Sequence, residues 1–271
     1  MPVQPQLNRV RNLSNVTVFV KSFLRLGLLR DCLEGVQQTL PETKILVIDD
    51  SSEQQKHVEA SFVDPNYTQV FMPFDSGFGA KSNEMIRHLD TEYVLIGSDD
   101  FNFGDPAVRG GIEKLHTVLE KDLTLVMASG RVNRNPYEFV LQIDEINHTC
   151  VEKPGCYGIR EVDGIPYQWT DLTVNYSLIR RKVFERVHWD SDVKIGGGEH
   201  GAFFIDIARA FGHGRVAYVP GVNINELPYD PRKVDPRYAA FRQRASQPGR
   251  ICLKRRGIDR YCCGGTTWET A

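Results

Sequence analysis

Two stretches of this chain end an apolar run in a pair of adjacent aspartates: Lys44-Ile45-Leu46-Val47-Ile48-Asp49-Asp50-Ser51-Ser52 and Tyr93-Val94-Leu95-Ile96-Gly97-Ser98-Asp99-Asp100-Phe101-Asn102-Phe103. Short apolar runs bounded by small polar residues predict strands covered on both faces of a sheet. In open α/β sheets ligands sit in the crevice beyond the carboxyl ends of such strands, so Asp99 and Asp100 fall where chemistry is done. Two carboxylates side by side repel unless a cation or hydrogen-bond donors offset them, and a hard divalent metal is the economical explanation. A plain turn or helix cap is the structural alternative, since Asp105-Pro106 just downstream reads as a helix start.

The rest of the chain supplies the context such strands need. Val16 to Phe23 is β-branched and aromatic, and Leu24 to Gln38 carries Leu26, Leu29, Cys32, Leu33 and Val36 at helical spacing. Pro41 ends that helix and Lys44 to Ile48 forms the next strand. A strand-helix-strand unit of this length demands a right-handed crossover and a parallel pair, so Lys21-Ser22 and Asp49-Asp50 are expected at one sheet edge. Gln69 to Pro73 reads as a short strand, and Asp75 to Asn83 as a glycine-bearing loop entering a helix over Glu84 to Leu89. That loop suits either a bound anion or an ordinary β-to-α turn. A helix over Ala107 to Lys121 and a strand over Leu123 to Ala128 complete the alternation, which predicts an α/β fold with a doubly wound, mainly parallel sheet.

Beyond Arg131, scattered Asn, Pro and Gly predict turns and short strands. Leu172 to Ile179 reads as a strand, Arg180 to Val187 as a short helix, Gly196 to Gly201 as a loop entering the helix Ala202 to Phe211, and Arg215 to Pro220 as a last strand. Past Pro228, basic residues and turn formers dominate, and an extended segment wrapping the domain is expected.

Composition excludes several classes. At 271 residues, with 41% hydrophobic and 25% charged residues, the chain fits one large α/β domain or a domain with an appended tail. A net charge of -2 argues against a nucleic-acid partner. No apolar run reaches membrane-spanning length, and residues 1–11 lack the apolar centre of a signal peptide. The six cysteines show no metal-ligand spacing and are expected as free thiols, although Cys150 and Cys156 could bridge a loop. Asn12, Asn15, Asn66, Asn147 and Asn175 each head an Asn-x-Ser/Thr sequon, a slight pointer to the secretory pathway.

With acids at two strand ends, a glycine loop before Asn83 and a glycine-rich Glu199-His200 loop, the chain resembles nucleotide-sugar-dependent glycosyltransferases of the GT-A fold. It is most similar to the β-1,4-N-acetylgalactosaminyltransferase (GM2/GD2 synthase-like) family and the broad family 2 inverting enzymes. Val20 to Arg25, Val47 to Ser51, Met72 to Phe74 and Ser98 to Phe103 carry the likeness, which covers roughly residues 16–226.

The resemblance implies a GT-A catalytic domain over residues 12–227, with a nucleotide-sugar half at 12–130, an acceptor half at 131–227 and a C-terminal extension at 228–271. It implies an inverting, metal-dependent transfer from a nucleotide sugar, a UDP-sugar with UDP-GalNAc as the nearest family's donor, to a glycan or other hydroxyl acceptor. By matching position, Lys21, Ser22, Asp49 and Asp50 contact the nucleoside, Asn83 lines the donor site, Ser98 lies toward the ribose, and Asp99 lies near the ribose or the metal. Asp100 would hold Mn2+ or Mg2+ against the diphosphate. Ser98 stands where the motif's first acid is expected, which weakens the ribose contact more than the metal assignment.

Glu199 is the matching candidate for the base that takes the acceptor's proton, with His200 as rival and a helix cap as the bland alternative. Glu226 stands where relatives often place a metal-ligating His. Tyr157, Tyr167 and Trp169 fall on the acceptor side, either as sugar platforms or as core. The resemblance implies the Golgi lumen if the chain is a soluble fragment of an anchored enzyme, and the cytoplasm otherwise. A non-catalytic nucleotide- or glycan-binding relative is the second reading. A sugar nucleotidyltransferase fits less well, because Lys21 to Arg25 is a poor triphosphate loop.

Overall fold

The computed structural model describes residues 11–51, 64–135, 138–173, 176–192, 194, 199–243 and 247–270, excluding the side chains of Glu199, His200, Gln247, Pro248 and Trp268. Among these, Val16–Ser22 (β1), Lys44–Asp49 (β2), Tyr67–Phe71 (β3) and Tyr93–Ser98 (β4) form parallel neighbours in the order β3-β2-β1-β4. The connecting helices are Leu26–Thr39 (α1) and Phe78–His88 (α2), with Pro106–Lys121 (α3) after β4. The sheet continues through Ser177–Arg180 (β11), antiparallel to β4, then Met127–Val132 (β5), Val216–Ile224 (β12), Ile165–Thr170 (β9) and Gly158–Val162 (β8). The large sheet is therefore parallel in its first half and mixed in its second.

Every residue of β1 is buried, and the period-two alternation of strands divides their side chains between two cores. Val16, Val18, Val20, Ile45, Val47 and Leu95 face α1 and α3 through Leu29, Leu33, Val36, Ile112 and Leu115. Phe19, Leu46, Ile48, Val94 and Ile96 face the other side, where Met85 of α2 and Phe203, Phe204 and Ile205 of helix Glu199–Phe211 (α4) pack. Truncating one of these buried side chains to Ala would cost about 2–5 kcal/mol, which is why the apolar runs tolerate no register slip.

A second sheet joins Leu172–Thr173 (β10), Glu138–Asp144 (β6) and Thr149–Pro154 (β7) to two C-terminal strands, Arg260–Cys263 (β13) and Thr266–Glu269 (β14). Residues past 228 also form helices Tyr238–Arg242 (α5) and Gln247–Arg255 (α6), and Cys252, Leu253, Ile258 and Tyr261 are core residues. Tyr261 hydrogen-bonds the Glu152 carboxylate, and a Cβ at Gly201, in the first turn of α4, would collide with the Tyr261 hydroxyl. The C-terminal strand thus fixes how α4 begins.

Three local expectations shift. The strand expected at Leu123 starts at Met127, because Asp122 accepts from the Thr124 amide at 3.0 Å and that turn leaves Leu123 exposed. The single strand expected over Leu172 to Ile179 is two, β10 in the small sheet and β11 in the large one; Asn175 between them lies outside the described residues. The glycine loop is shorter than expected: Gly77, at φ 95°, ends it, and α2 begins at Phe78, which puts Asn83 on a helix. All six cysteines are free, and no helix among the described residues is long and apolar enough to cross a membrane.

Candidate active site

Register brings the predicted residues together. Ser22 pairs with Asp49 across β1 and β2, and Lys21 with Ser98 across β1 and β4, so three parallel strands end side by side. Asp49-Asp50 and Asp99-Asp100 stand at that edge, and Asp49, Asp50 and Asp99 are each at most 1% exposed. Four acids in one place need cations, and among the described residues Lys81 and Arg25 pair with three of them.

Lys81, on α2, donates to Asp50 and, at 2.8 Å, to the Ser22 carbonyl; lysine and aspartate are both buried. The other Asp50 oxygen accepts from the Gly77 amide at 2.8 Å. Asp50 is thereby fully engaged in holding the β3-to-α2 turn. Asp49 accepts from the Ser51 amide at 2.8 Å, and burial, only partly offset by the Ser51 hydrogen bonds and Lys81, pushes its carboxyl up. Lys21 lies 3.9 Å over the Phe78 ring, and the Ser22 hydroxyl is buried without a partner among the described residues.

Arg25, just ahead of α1, reaches the second pair. Its two terminal nitrogens donate to Asp99 and Asp100, and one also lies 3.3 Å from the Ser98 hydroxyl. Burial pushes the Asp99 carboxyl up to about 6 against the pull of Arg25. For Asp100 burial also pushes upward, but the Arg25 charge and the Ser98 and Arg25 hydrogen bonds together outweigh it and hold the group below its usual value. Asp99 Oδ2 and Asp100 Oδ1 remain buried without a partner among the described residues. A buried charge with an open lone pair is costly unless something completes it, so these two oxygens are candidate positions for a ligand.

The C-terminal segment reaches this crevice. Asp235 donates its amide to the Leu24 carbonyl at 2.8 Å, Tyr238 lies 4.9 Å under the Arg25 guanidinium, and Phe241 closes a triangle with Phe23 and Phe74 at 5.1–5.6 Å.

The remaining candidates are less central. The Asn83 amide is taken up by the segment ahead of α4, donating to the Trp189 carbonyl at 2.7 Å and Ser191 at 2.9 Å and accepting from the Trp189 amide at 3.0 Å. It is an anchor, helped by Lys194, which donates to the Asp75 and Ser76 carbonyls. That segment leads to Gly196–Gly198, which lie outside the described residues, and to Glu199 and His200, whose backbone opens α4. Residues 225–227 run beside 100–102, with Leu227 donating to the Asp100 carbonyl at 2.6 Å. The Glu226 carboxylate accepts from Asn133 at 2.7 Å, and no cluster of three or more His, Cys, Asp or Glu suited to a metal occurs among the described residues. Tyr167 is core, its hydroxyl on Asp122, Trp169 stacks under Arg160, and Tyr157 bonds Asp171.

Arg25, Lys81, Tyr238 and Phe241 are the site residues that the sequence reading passes over. The available signal was charge balance: four clustered aspartates demand basic partners, and Arg25 and Lys81 are the basic residues just beyond the β1 end and the glycine turn.

Similarity to known proteins agrees with this architecture. The chain is 34% identical over 237 residues to Beta-1,4 N-acetylgalactosaminyltransferase 2 of Mus musculus, covering 86% of this chain and 42% of that protein. It is 30% identical over 201 residues to Beta-1,4 N-acetylgalactosaminyltransferase 1 of the same species, covering 70% and 35%. The chain thus spans about two fifths or less of the length of these relatives. A mannosyltransferase from Pyrobaculum calidifontis, solved in complex with GDP-Man and Mn2+, has the same fold, with a TM-score of 0.53 at 16% identity over 88% of this chain and 60% of that one. The family model for Glycosyl transferase family 2 matches residues 17–187, more than half of the sequence, from β1 through the turn after β11, and the chain belongs to that family.

Proposed function

We propose that the chain is an inverting glycosyltransferase that moves a sugar from a nucleotide sugar, a UDP-sugar, to a hydroxyl of a glycan. UDP-GalNAc is the donor that the relatives' names suggest. The observation that carries the reading is the Asp99–Asp100 pair at the end of β4, with one buried, unpartnered oxygen on each carboxylate.

Those two oxygens suit Mn2+ or Mg2+, since such hard cations accept one or two carboxylates and complete their shell with substrate phosphate and water. Asp100 is the expected ligand, with Asp99 toward the ribose. When bound, the ion supplies a Lewis acid that stabilises negative charge on the departing nucleoside diphosphate. Lys21, Ser22 and Asp49 line the nucleoside end of the crevice, the Ser22 hydroxyl being free to bond a ligand. Glu199, opening α4, takes the proton from the acceptor hydroxyl as it attacks the anomeric carbon, with His200 as the alternative base.

The test is UDP release from a UDP-sugar in the presence of Mn2+ and a glycan acceptor array. Glu199→Gln should bind donor normally and turn over about 10²–10⁴-fold more slowly, with His200→Ala milder. Absence of UDP release from the unmodified chain with every acceptor, together with no saturable UDP binding, would contradict the reading. A fast Glu199→Gln enzyme paired with a slow His200→Ala enzyme would move the base to His200.

A further inference from the structure

We propose that Arg25 is a built-in counter-cation that occupies the Asp99–Asp100 pair and must yield before a divalent ion can bind there, so that it sets the chain's metal affinity. The inference rests on the metal reading of the acid pair above.

The geometry gives the guanidinium one oxygen of each carboxylate and leaves the other two open. Its Nε is buried without a partner among the described residues, so the side chain is held from its tip, by the aspartates, and from one face, by the Tyr238 ring at 4.9 Å. A guanidinium and a doubly charged ion competing for the same two carboxylates in a site with little water repel each other strongly. Although they would use different oxygens, occupancy by both is therefore disfavoured, and each weakens the binding of the other by the same factor. Without a metal, the arginine is what permits two adjacent buried carboxylates to stay ionised; with one, it is displaced into the crevice.

The C-terminal segment enters this balance directly. Asp235 ties the Leu24 carbonyl, Lys233 pairs with Asp31 on α1, and Tyr238 covers Arg25, so the segment past residue 228 stabilises the arginine-bound state. Loosening it should shift the pair toward metal.

The experiment is Mn2+ alone titrated against the whole chain, free Mn2+ being read by electron paramagnetic resonance, with a circular-dichroism melt to establish folding. Arg25→Gln should bind Mn2+ at least about tenfold more tightly than the unmodified chain. Tyr238→Leu, which leaves every charge in place, should tighten binding by about two- to threefold and serves as the second variant should Arg25→Gln unfold. Unchanged or weaker Mn2+ binding in the folded variants, with saturable binding in the unmodified chain, overturns the role of Arg25 and leaves the metal reading standing. No saturable Mn2+ binding by any of the three, with or without UDP, overturns both.

Discussion

The two aspartate pairs look alike in the sequence and behave differently in the fold. Asp49-Asp50 and Asp99-Asp100 both follow an apolar strand, and both reach the same edge of the sheet. Asp50 is closed: Lys81 and the Gly77 amide take both its oxygens. Asp99 and Asp100 share one arginine, each keeps an open oxygen, and the Asp100 side chain is still 20% exposed. An acid whose partners come from its own scaffold holds the structure together, whereas one with a lone pair left over awaits a ligand. Motif matching alone weights the two pairs equally; the hydrogen bonds do not.

The largest effect expected from breaking this contrast is at the closed pair. Lys81→Met leaves Asp50 buried without its cation and should cost about 3–5 kcal/mol of stability, read as a lower denaturant midpoint. Removing one acid of the open pair, rather than a cation, should be mild in stability and severe in function. Asp100→Ala leaves Arg25 paired with Asp99 and should lower metal-dependent transfer by about 10²–10³-fold, the usual range for removing one charge-stabilising group, in a steady-state assay.

Gly79→Ala should fall between these in its structural effect. A Cβ there would collide with the Asp190 carbonyl oxygen, so the segment that Asn83 and Lys194 tie beside the crevice must back away. A cost of about 1–3 kcal/mol is expected, visible in thermal unfolding.

The smallest effect concerns pH. His116 is 3% exposed, packs on Tyr93, and neither ring nitrogen has a hydrogen-bond partner among the described residues; Glu120 is 3.6 Å away, with Glu92, Arg11 and Arg180 also acting on it. Burial depresses its proton affinity, so as pH falls through about 6.5 the unfolded chain takes up the proton first and stability declines, levelling off below the folded-state value. Asp99 pulls the other way: its raised carboxyl keeps a proton in the folded chain, so stability falls as pH rises from about 4 to about 6. The difference in unfolding free energy between His116→Leu and the unmodified chain, followed from about pH 5 to about 7, isolates the histidine. A difference that does not vary with pH would remove His116 from the account.

Much of the first half of the fold was legible because its signals are local. The fully buried β1, the apolar run of β4, the helical spacing of Leu29, Cys32, Leu33 and Val36, and the Asp105-Pro106 cap each constrain a few neighbouring residues. The C-terminal part was opaque because its partners are distant. Arg260 to Cys262 pair with Thr149 to Val151, and Tyr238 and Phe241 meet Arg25 and Phe23 across some two hundred residues, with no periodicity to announce either. The site shows the same split: the strand-end acids could be located from the sequence, but their cations could not, because which acid a lysine or arginine reaches depends on tertiary packing.

The proposed function puts the metal and diphosphate at the open Asp99–Asp100 pair, with Asp49 toward the nucleoside and Asp50 kept to the scaffold. Calorimetric titration of UDP with Mn2+ into the unmodified chain and Asp100→Asn tests it most directly, with unfolding of each measured in parallel. Saturable heat is expected from the unmodified chain, none from the variant, and nearly equal stability for the two. Undiminished binding by a folded Asp100→Asn, or no binding by the unmodified chain, would contradict it.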